Sequence, residues 1–269
     1  MRKSHSSNNG FSLTEVLLAV GIITVGMLFI AGVFPVGIHF TTIASERTIA
    51  AVVADEAFAK VRLYAIADPC SLLDDINFSQ LRVDQLVDFN NIANINPFEF
   101  AYPSDPNMDF LLKQFYWSAL CRRVDPDPNS RLVQVTVFVS RKVGSGSRFR
   151  RRDLFAPPSF TIVPGPVPVP VWINVSQPVG FNPSTLLVSD ADPADGISEI
   201  TFINDGYTIV DNVTGQIYRV LERDAAMPDM IVLDRPWQGG PTGSVWVVPP
   251  PVGGGRYPCI AIYQRVIRF

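Results

Sequence analysis

The first part of the chain carries an uninterrupted apolar run. No Asp, Glu, Lys or Arg lies between Val16 and Ser45, and nearly every residue from 16 to 38 is apolar. A helix of about 20 such residues spans the hydrocarbon layer of a bilayer. Arg2 and Lys3 precede the run, so the positive-inside bias predicts a cytoplasmic N-terminus and a translocated remainder.

The next segment, 41–67, has the spacing of an amphipathic helix. Its apolar positions recur at steps of three, four and seven, with charged residues on the other faces. These positions are Ile43, Ala50, Val53, Ala57, Val61 and Tyr64. Asp68 precedes Pro69, and a residue before proline is driven out of helical geometry. We therefore predict one long helix, with a transmembrane half over 11–40 and a second half that packs on a sheet.

The rest of the chain has the pattern of β-structure. Segments 114–124 and 131–142 predict two strands of a hairpin, and the second alternates clearly between valines on one face and polar residues on the other. The valines are Val133, Val135, Val137 and Val139. This hairpin is the expected partner of the helix, so 41–155 is predicted to form a head of helix plus antiparallel sheet.

A proline-rich stretch at 156–171 marks the expected boundary, with an extended polyproline spacer. Short runs rich in Val, Ile and Tyr follow, separated by turns, and they predict a small antiparallel sandwich or barrel over 156–269. The runs are 185–188, 199–203, 207–210, 216–221, 230–233, 244–248 and 259–267. The clearest hairpin turn is predicted at 211–215. The fold class is therefore α+β, with an additional all-β C-terminal unit.

Two placements stay open in this region. The strand at 259–267 belongs either to the C-terminal unit or beside 131–142, where it would cover an exposed edge and make the β unit an insertion. Basic residues cluster at 141–152 around Gly144–Ser147 and predict a solvated loop. The alternative for that cluster is a contact with anionic lipid or with an acidic neighbouring subunit.

The start of the chain departs from an ordinary secretory signal. Such a signal has a shorter apolar stretch followed by small residues at the cleavage position, whereas here the small residue, Gly10, precedes the run. Glu15 lies at the edge of the run, where a carboxylate buried without a partner is costly. A plain signal anchor would leave both features unexplained.

The segment Gly10-Phe11-Ser12-Leu13-Thr14-Glu15-Val16, with the apolar run after it, resembles the processing motif of type IV prepilins and type II secretion pseudopilins. The resemblance implies that residues 1–10 are a leader, that a prepilin peptidase cuts between Gly10 and Phe11, and that Phe11 becomes N-methylated. It also implies that the ammonium group of Phe11 neutralises Glu15 of a neighbouring subunit. Segments 30–37 and 47–51 look more like the minor pilin or pseudopilin branch.

The same resemblance implies partners and a location. The partners would be other pilin or pseudopilin subunits, the prepilin peptidase, an inner-membrane assembly platform and membrane lipid. The head would lie in the periplasm of a bacterial inner membrane and later in a filament of a type IV pilus or a secretion pseudopilus. The alternative is a membrane-anchored binding module that never polymerises.

The composition of the chain argues against several other functions. The net charge of −3 becomes more negative once Arg2 and Lys3 leave with the leader, so nucleic acid is not an expected partner. His39 is the one histidine beyond the leader, and no catalytic triad or phosphate loop is found, so no enzyme activity is expected. The three cysteines (Cys70, Cys121, Cys259) lack metal-binding spacing, and any disulfide pairing stays open.

No cofactor is expected from the sequence, with one weak exception. Asp190, Asp192 and Asp195 precede Gly196 and offer closely spaced oxygen ligands of the kind calcium prefers. A proline lies inside the set, and the spacing misses the full calcium-loop pattern, so an acidic turn is the preferred interpretation.

Overall fold

The computed structural model describes residues 12–67, 81, 83–89, 97–105, 107–127, 130–144, 146–152, 162–190 and 197–269. The chain divides into two compact units, Met1–Thr48 and Ile49–Phe269. The boundary falls inside the first element, a helix that belongs to both units. The two β regions expected from the sequence both lie within the second unit.

The first element, α1, is a single helix over Leu13–Ala67 with Pro35 inside it. Its described part extends to Ala67, and the Asp68–Pro69 pair that is predicted to end the helix lies outside the described residues. In the second unit the helix buries one stripe of side chains: Ala50, Val53, Ala57 and Val61 are fully buried and Tyr64 is partly buried. The predicted amphipathic half of the helix is therefore confirmed. In the described part of the chain, this one α-helix is followed by a β-rich remainder.

Thirteen strands follow among the described residues. Their bounds are β1 Val87–Asp88, β2 Ala101–Tyr102, β3 Phe115–Arg123, β4 Leu132–Arg141, β5 Phe149–Arg152, β6 Ile162–Gly165, β7 Val171–Ser176, β8 Thr185–Ser189, β9 Thr208–Asp211, β10 Ile217–Arg223, β11 Met230–Leu233, β12 Thr242–Val247 and β13 Cys259–Arg268. They form one open sheet, one closed barrel and one small hairpin. The α+β class with a β-rich C-terminal part is thereby established.

The open sheet has the order β1-β3-β4-β13, with β2 also paired to β3, and all its pairs are antiparallel. The predicted hairpin is confirmed as β3 and β4, which pair from Phe115↔Arg141 to Arg123↔Val133. The last strand, β13, runs beside β4 along almost its whole length. The chain therefore leaves this sheet after β4, forms the other β elements, and returns to it.

Both faces of β4 are buried, although its sequence alternates between apolar and polar residues. The valines face the helix and join its buried stripe in one core. On the opposite face, Phe138 packs with Leu120 and with Trp246 from the barrel. The polar residues of the other face, Gln134, Thr136 and Ser140, are buried as well. The barrel therefore covers the face of β4 that carries the polar residues.

The barrel closes in the order β10-β11-β8-β7-β12-β9, which resolves the choice between sandwich and barrel. Closure leaves no free strand edge. Its interior is filled by apolar side chains, among them Ile173, Leu186, Ile209, Tyr218 and Val245. Two details differ from the sequence prediction. The expected strand at 199–203 is a 3₁₀ turn over Glu199–Phe202, and β7, which directly follows the prolines, was not foreseen.

The basic cluster and the proline-rich stretch also differ from expectation. Phe149–Arg152, predicted as part of a solvated loop, pairs antiparallel with Ile162–Gly165 from the predicted spacer. Phe149 is buried and forms a bridge with Pro251, which fixes this hairpin to the rest of the unit. Pro164 is tolerated because a two-stranded hairpin has edges that need no donor. Residues 153–161 lie outside the described part.

A turn of the barrel is fastened to the open sheet by polar contacts. Arg122 donates to the carbonyl of Val213 at 2.6 Å and to Oε1 of Gln134 at 2.6 Å, while Gln264 donates to the carbonyl of Gly215 at 2.8 Å. Gly215 has φ +70°, and a Cβ there would lie 2.8 Å from the amide nitrogen of Gln134. The turn therefore requires glycine both for its conformation and for its close approach to the sheet.

Asp211 shapes the same turn from its start. Its buried carboxylate accepts from the backbone N–H of Val213 at 3.2 Å and of Thr214 at 3.0 Å, and from the Thr214 hydroxyl. The N–H of Gly215 donates to the carbonyl of Asp211 at 2.9 Å. The hairpin turn predicted at 211–215 is confirmed, and its aspartate performs the backbone capping typical of that residue.

Candidate membrane and assembly helix

The first turn of α1 is capped by its own sequence. The N–H of Glu15 lies 3.3 Å from Oγ of Ser12 and 3.1 Å from its carbonyl oxygen, which is the geometry of a serine N-cap. The hydroxyl of Thr14 lies 2.9 Å from that of Ser12. Glu15 is therefore held in the first helical turn, where the partial positive charge of the helix N-terminus favours a carboxylate.

The predicted assembly site is only partly within the described residues. Glu15 is exposed at the beginning of the helix. Gly10 and Phe11, the predicted cleavage and methylation positions, lie outside the described part. The pairing of the Phe11 ammonium group with Glu15 of another subunit therefore stays a prediction.

The first unit presents its apolar side chains outward. Among the described residues, one helix is long and apolar enough to span a membrane, and it is this one. Its exposed large apolar side chains include Leu17, Leu18, Ile22, Leu28, Phe29, Ile30, Phe34 and Phe40. A soluble protein rarely leaves such a continuous apolar surface in water, because each fully buried side chain of this kind contributes about 1.5–3 kcal/mol. Lipid or other apolar helices are the surroundings that this surface fits.

Three threonine hydroxyls of the uncharged segment bond to carbonyls of their own helix. The hydroxyl of Thr24 donates to the carbonyl of Val20 at 2.7 Å, and those of Thr41 and Thr42 donate to the carbonyl of Ile38 at 2.9 and 2.8 Å. Such back-bonding removes the cost of placing a hydroxyl in hydrocarbon. These three positions are therefore compatible with a bilayer.

Small residues fall on the same side of the helix as Glu15. At about 100° per residue, Glu15, Ala19, Gly26, Gly37 and Ala44 lie within about 40° of one another around the axis. A Cβ added at Gly26 or Gly37 would meet nothing within 4 Å. The glycines are thus not required by packing within this chain. Ile22, Val33 and Phe40 share this side of the helix, so the small residues do not form an unbroken face for a second helix.

Pro35 interrupts the hydrogen-bond ladder of the same helix. It has no N–H, so the carbonyl of Ala31 lacks its usual helical donor. Proline within a membrane helix is tolerated and commonly marks a weakened turn. The ladder is therefore weakest in the middle of the apolar segment.

The other candidate sites receive less support. Asp190 follows β8, and it interacts with another residue, whereas Asp192 and Asp195 lie outside the described residues. No group of three or more His, Cys, Asp or Glu positioned to hold a metal ion occurs in the described part of the chain. His39 is exposed on the apolar helix, beside Phe40. The calcium site therefore stays a prediction, because two of its three candidate ligands lie outside the described residues.

The two cysteines within the described residues are free and buried. Cys121 lies in the core beneath α1, and Cys259 lies in the core between the sheet and the barrel. Burial raises the pKa of both thiols, that of Cys259 to about 12. A buried protonated thiol is a poor nucleophile and a poor metal ligand, so neither residue has the character of a reactive site.

Sequence reasoning missed two surfaces that the structure presents. One is the contact of Arg122 with the barrel turn. Burial lowers the pKa of Arg122, and the nearby charge of Asp211 offsets only part of that decrease. The other is the β7–β8 loop, which carries exposed apolar side chains. The loop had a detectable signal, an uncharged stretch from Ser176 to Ser189. The contact of Arg122 had none, because its partners are distant in sequence.

Comparison with known proteins adds no assignment. No protein-family model, no curated protein and no solved structure matches this chain.

Proposed function

We propose that this chain is a pilin-like structural subunit of the minor pilin or pseudopilin branch. In this proposal a prepilin peptidase removes residues 1–10, the apolar part of α1 anchors the chain in a bacterial inner membrane, and subunits then assemble into a type IV pilus or a secretion pseudopilus. The observation that carries the proposal is the composition of α1. It combines an exposed apolar run, an acid in its first turn and a second half that is built into a compact α+β unit.

The acid is the most informative part of that combination. A carboxylate beside an apolar run is costly to bury alone and tolerable when a cation meets it. The new amino group created by cleavage at Phe11 supplies such a cation, and a neighbouring subunit brings it to Glu15. A simple anchor has no use for Glu15, whereas an assembling helix does.

The first experiment is intact-mass and N-terminal analysis of the protein purified from membranes of its own host. The expected chain begins at N-methylated Phe11. A chain that still begins at Met1, in cells with an active prepilin peptidase, would contradict the proposal. This measurement reads the processing step directly and does not depend on knowing the filament.

The second experiment separates assembly from anchoring. Glu15→Gln removes the charge and keeps the size, so membrane insertion should persist while cross-linking between neighbouring subunits and recovery in sheared filaments are lost. Glu222→Gln is the matched control, because Glu222 is exposed on the barrel strand β10 and far along the chain from the helix. Equal assembly of the two variants would contradict the role of Glu15.

The alternative function, an anchored binding module that does not polymerise, is favoured by the barrel. A closed barrel with its own core is more than a helix-and-sheet subunit requires. Under this alternative, Glu15→Gln changes neither location nor ligand capture. The same pair of variants therefore distinguishes the two functions.

A further inference from the structure

The open sheet ends on a long strand that is paired along one side. This strand, β13, spans Cys259–Arg268 and pairs with β4, and no other described strand pairs with it. The barrel is closed and has no edge, and the opposite side of the open sheet ends on the two-residue strand β1. The outer side of β13 is therefore the longest free strand edge in the described part of the chain.

The pairing of β13 with β4 determines which backbone groups of β13 point outward. The N–H of Phe269 donates to the carbonyl of Arg131 at 3.0 Å, which marks a hydrogen-bonded pair of the antiparallel ladder. Such pairs recur at every second residue, and the register is regular from 261 to the end of the strand. The odd-numbered residues therefore bond to β4, and the even-numbered ones direct their N–H and C=O groups away from it. In the last part of the strand, the outward-facing residues are Gln264, Val266 and Arg268.

This last part of the edge is open to solvent. Gln264, Arg265, Val266 and Arg268 are all exposed. Native edge strands are commonly protected by short length, by proline or by a bulge. In β13 the proline, Pro258, and the bulge both lie at the start of the strand. Neither protects residues 264–268.

An apolar surface lies beside the open edge, on the face of the sheet that the barrel partly covers. Val124 and Leu132 are 39% and 36% exposed, and Val266 is 56% exposed. Val124 extends the β3–β4 ladder, since its N–H donates to the carbonyl of Leu132 at 3.0 Å. Directly opposite residues share a face of a sheet, and the contact of Gln264 with the barrel turn shows that this is the barrel side. A strand added to β13 would turn alternate side chains towards this surface.

The exposed charges of the edge are both positive. Arg265 pairs with Asp55 at 2.7 Å, so its charge is compensated within the chain. Arg268 has no ion-pair partner among the described residues. A second copy of β13 would bring like charges together, whereas a segment that carries a carboxylate would neutralise Arg268.

The edge thus combines free backbone groups, an apolar surface and a positive charge. Alternating N–H and C=O groups along a strand are complemented by extended backbone, which is the basis of strand addition. We propose that the edge of β13 over residues 264–268 binds an extended peptide segment of another protein, which adds to the open sheet as a further strand and places a carboxylate beside Arg268. This contact goes beyond the pilin-like function, because it requires neither cleavage after Gly10 nor assembly through Glu15.

The test uses the full chain in detergent and a short fluorescent peptide in which threonine and valine alternate around one glutamate. Val266→Pro removes an outward N–H that the β4–β13 ladder does not use, so proline is tolerated there. Val266→Thr is the matched control that keeps this N–H. We expect saturable binding to the unmodified protein and to Val266→Thr, and binding at least about tenfold weaker to Val266→Pro. Arg268→Glu should reverse the preference, by about tenfold, towards a peptide with lysine in place of the glutamate.

Amide hydrogen exchange on the unmodified protein gives a second measurement that does not depend on the folding of a variant. Addition of the peptide should slow exchange at Gln264, Val266 and Arg268. The amides of Arg265 and Ile267 should already exchange slowly without it, because they bond to β4.

Three results would overturn the proposal. The first is equal binding by Val266→Pro and Val266→Thr, and the second is the absence of saturable binding or of new protection in the unmodified protein. The third is a molecular mass that doubles with protein concentration and stays monomeric in Val266→Pro, which would identify a second copy of the chain as the occupant of the edge.

Discussion

The two parts of α1 share one backbone geometry and differ in what surrounds their side chains. Over residues 13–42 the large apolar side chains are exposed around the helix. From Ala50 onward, one stripe that includes Ala50, Val53, Ala57 and Val61 is fully buried in the core, while the other faces carry charged residues together with the exposed Val52 and Leu63. A helix that is apolar on all sides suits hydrocarbon, and one that is apolar along a stripe suits a protein core bordered by water.

Polar groups differ in the same way between the two regions. In the first, hydroxyls bond to the carbonyls of their own helix. In the second, charged residues pair across elements, as Arg265 does with Asp55 and Lys60 with Glu99. Local bonding is the solution available where no water or partner element is present, whereas pairs between elements help to fix the helix on its sheet.

The largest expected effect comes from placing a charge in each region. Val53→Asp puts a carboxylate into a fully buried position, and we expect the free energy of unfolding of the second unit to fall by more than about 4 kcal/mol, measured by denaturant titration in detergent. Val25→Asp should leave that unfolding unchanged, because Val25 is exposed within the first unit. It should instead weaken membrane insertion by about 3 kcal/mol. An equal decrease in the free energy of unfolding for both variants would contradict the proposed difference between the two regions.

An intermediate effect is expected where the barrel meets the sheet. Arg122→Ala leaves the carbonyl of Val213 and the amide oxygen of Gln134 without their donor, at a cost of about 2–3 kcal/mol in the free energy of unfolding. Arg219→Ala, at an exposed position of β10, is the control and should cost less than about 0.5 kcal/mol. Two separate unfolding transitions in the unmodified protein would show that sheet and barrel are not one cooperative unit.

The smallest effect concerns the buried thiols of the second unit. Cys121 and Cys259 should stay unmodified by a thiol reagent at pH 8 and react after unfolding, because burial raises the pKa of both thiols. The pKa of Cys259 rises from 9.0 to about 12, so the unfolded chain loses this proton first as pH increases. The free energy of unfolding should therefore fall between these values, by about 1.4 kcal/mol per pH unit for this thiol. Cys259→Ala should remove that part of the slope, and rapid native labelling would contradict the burial.

The sequence was a good guide where the signal is local. The apolar run, the stripe on the second half of α1, the β3–β4 hairpin and the turn at 211–215 each follow from periodicity or turn chemistry within a few residues. The 3₁₀ turn at Glu199–Phe202 was mistaken for a strand because a short apolar run does not reveal its conformation. The hairpin of β5 and β6 was hidden by arginines and prolines that favour exposed or extended chain.

What the sequence by itself determined is the character of the N-terminal helix and the acid at its start, because a membrane-length apolar run and a lone carboxylate are properties of consecutive residues. Only the tertiary structure decided that the polar face of β4 is buried and that a closed barrel covers it. It alone also placed β13 back beside β4. The return of β13 depends on pairings between residues more than a hundred positions apart, as between Gln264 and Thr136, and such pairings leave no periodic trace in the chain.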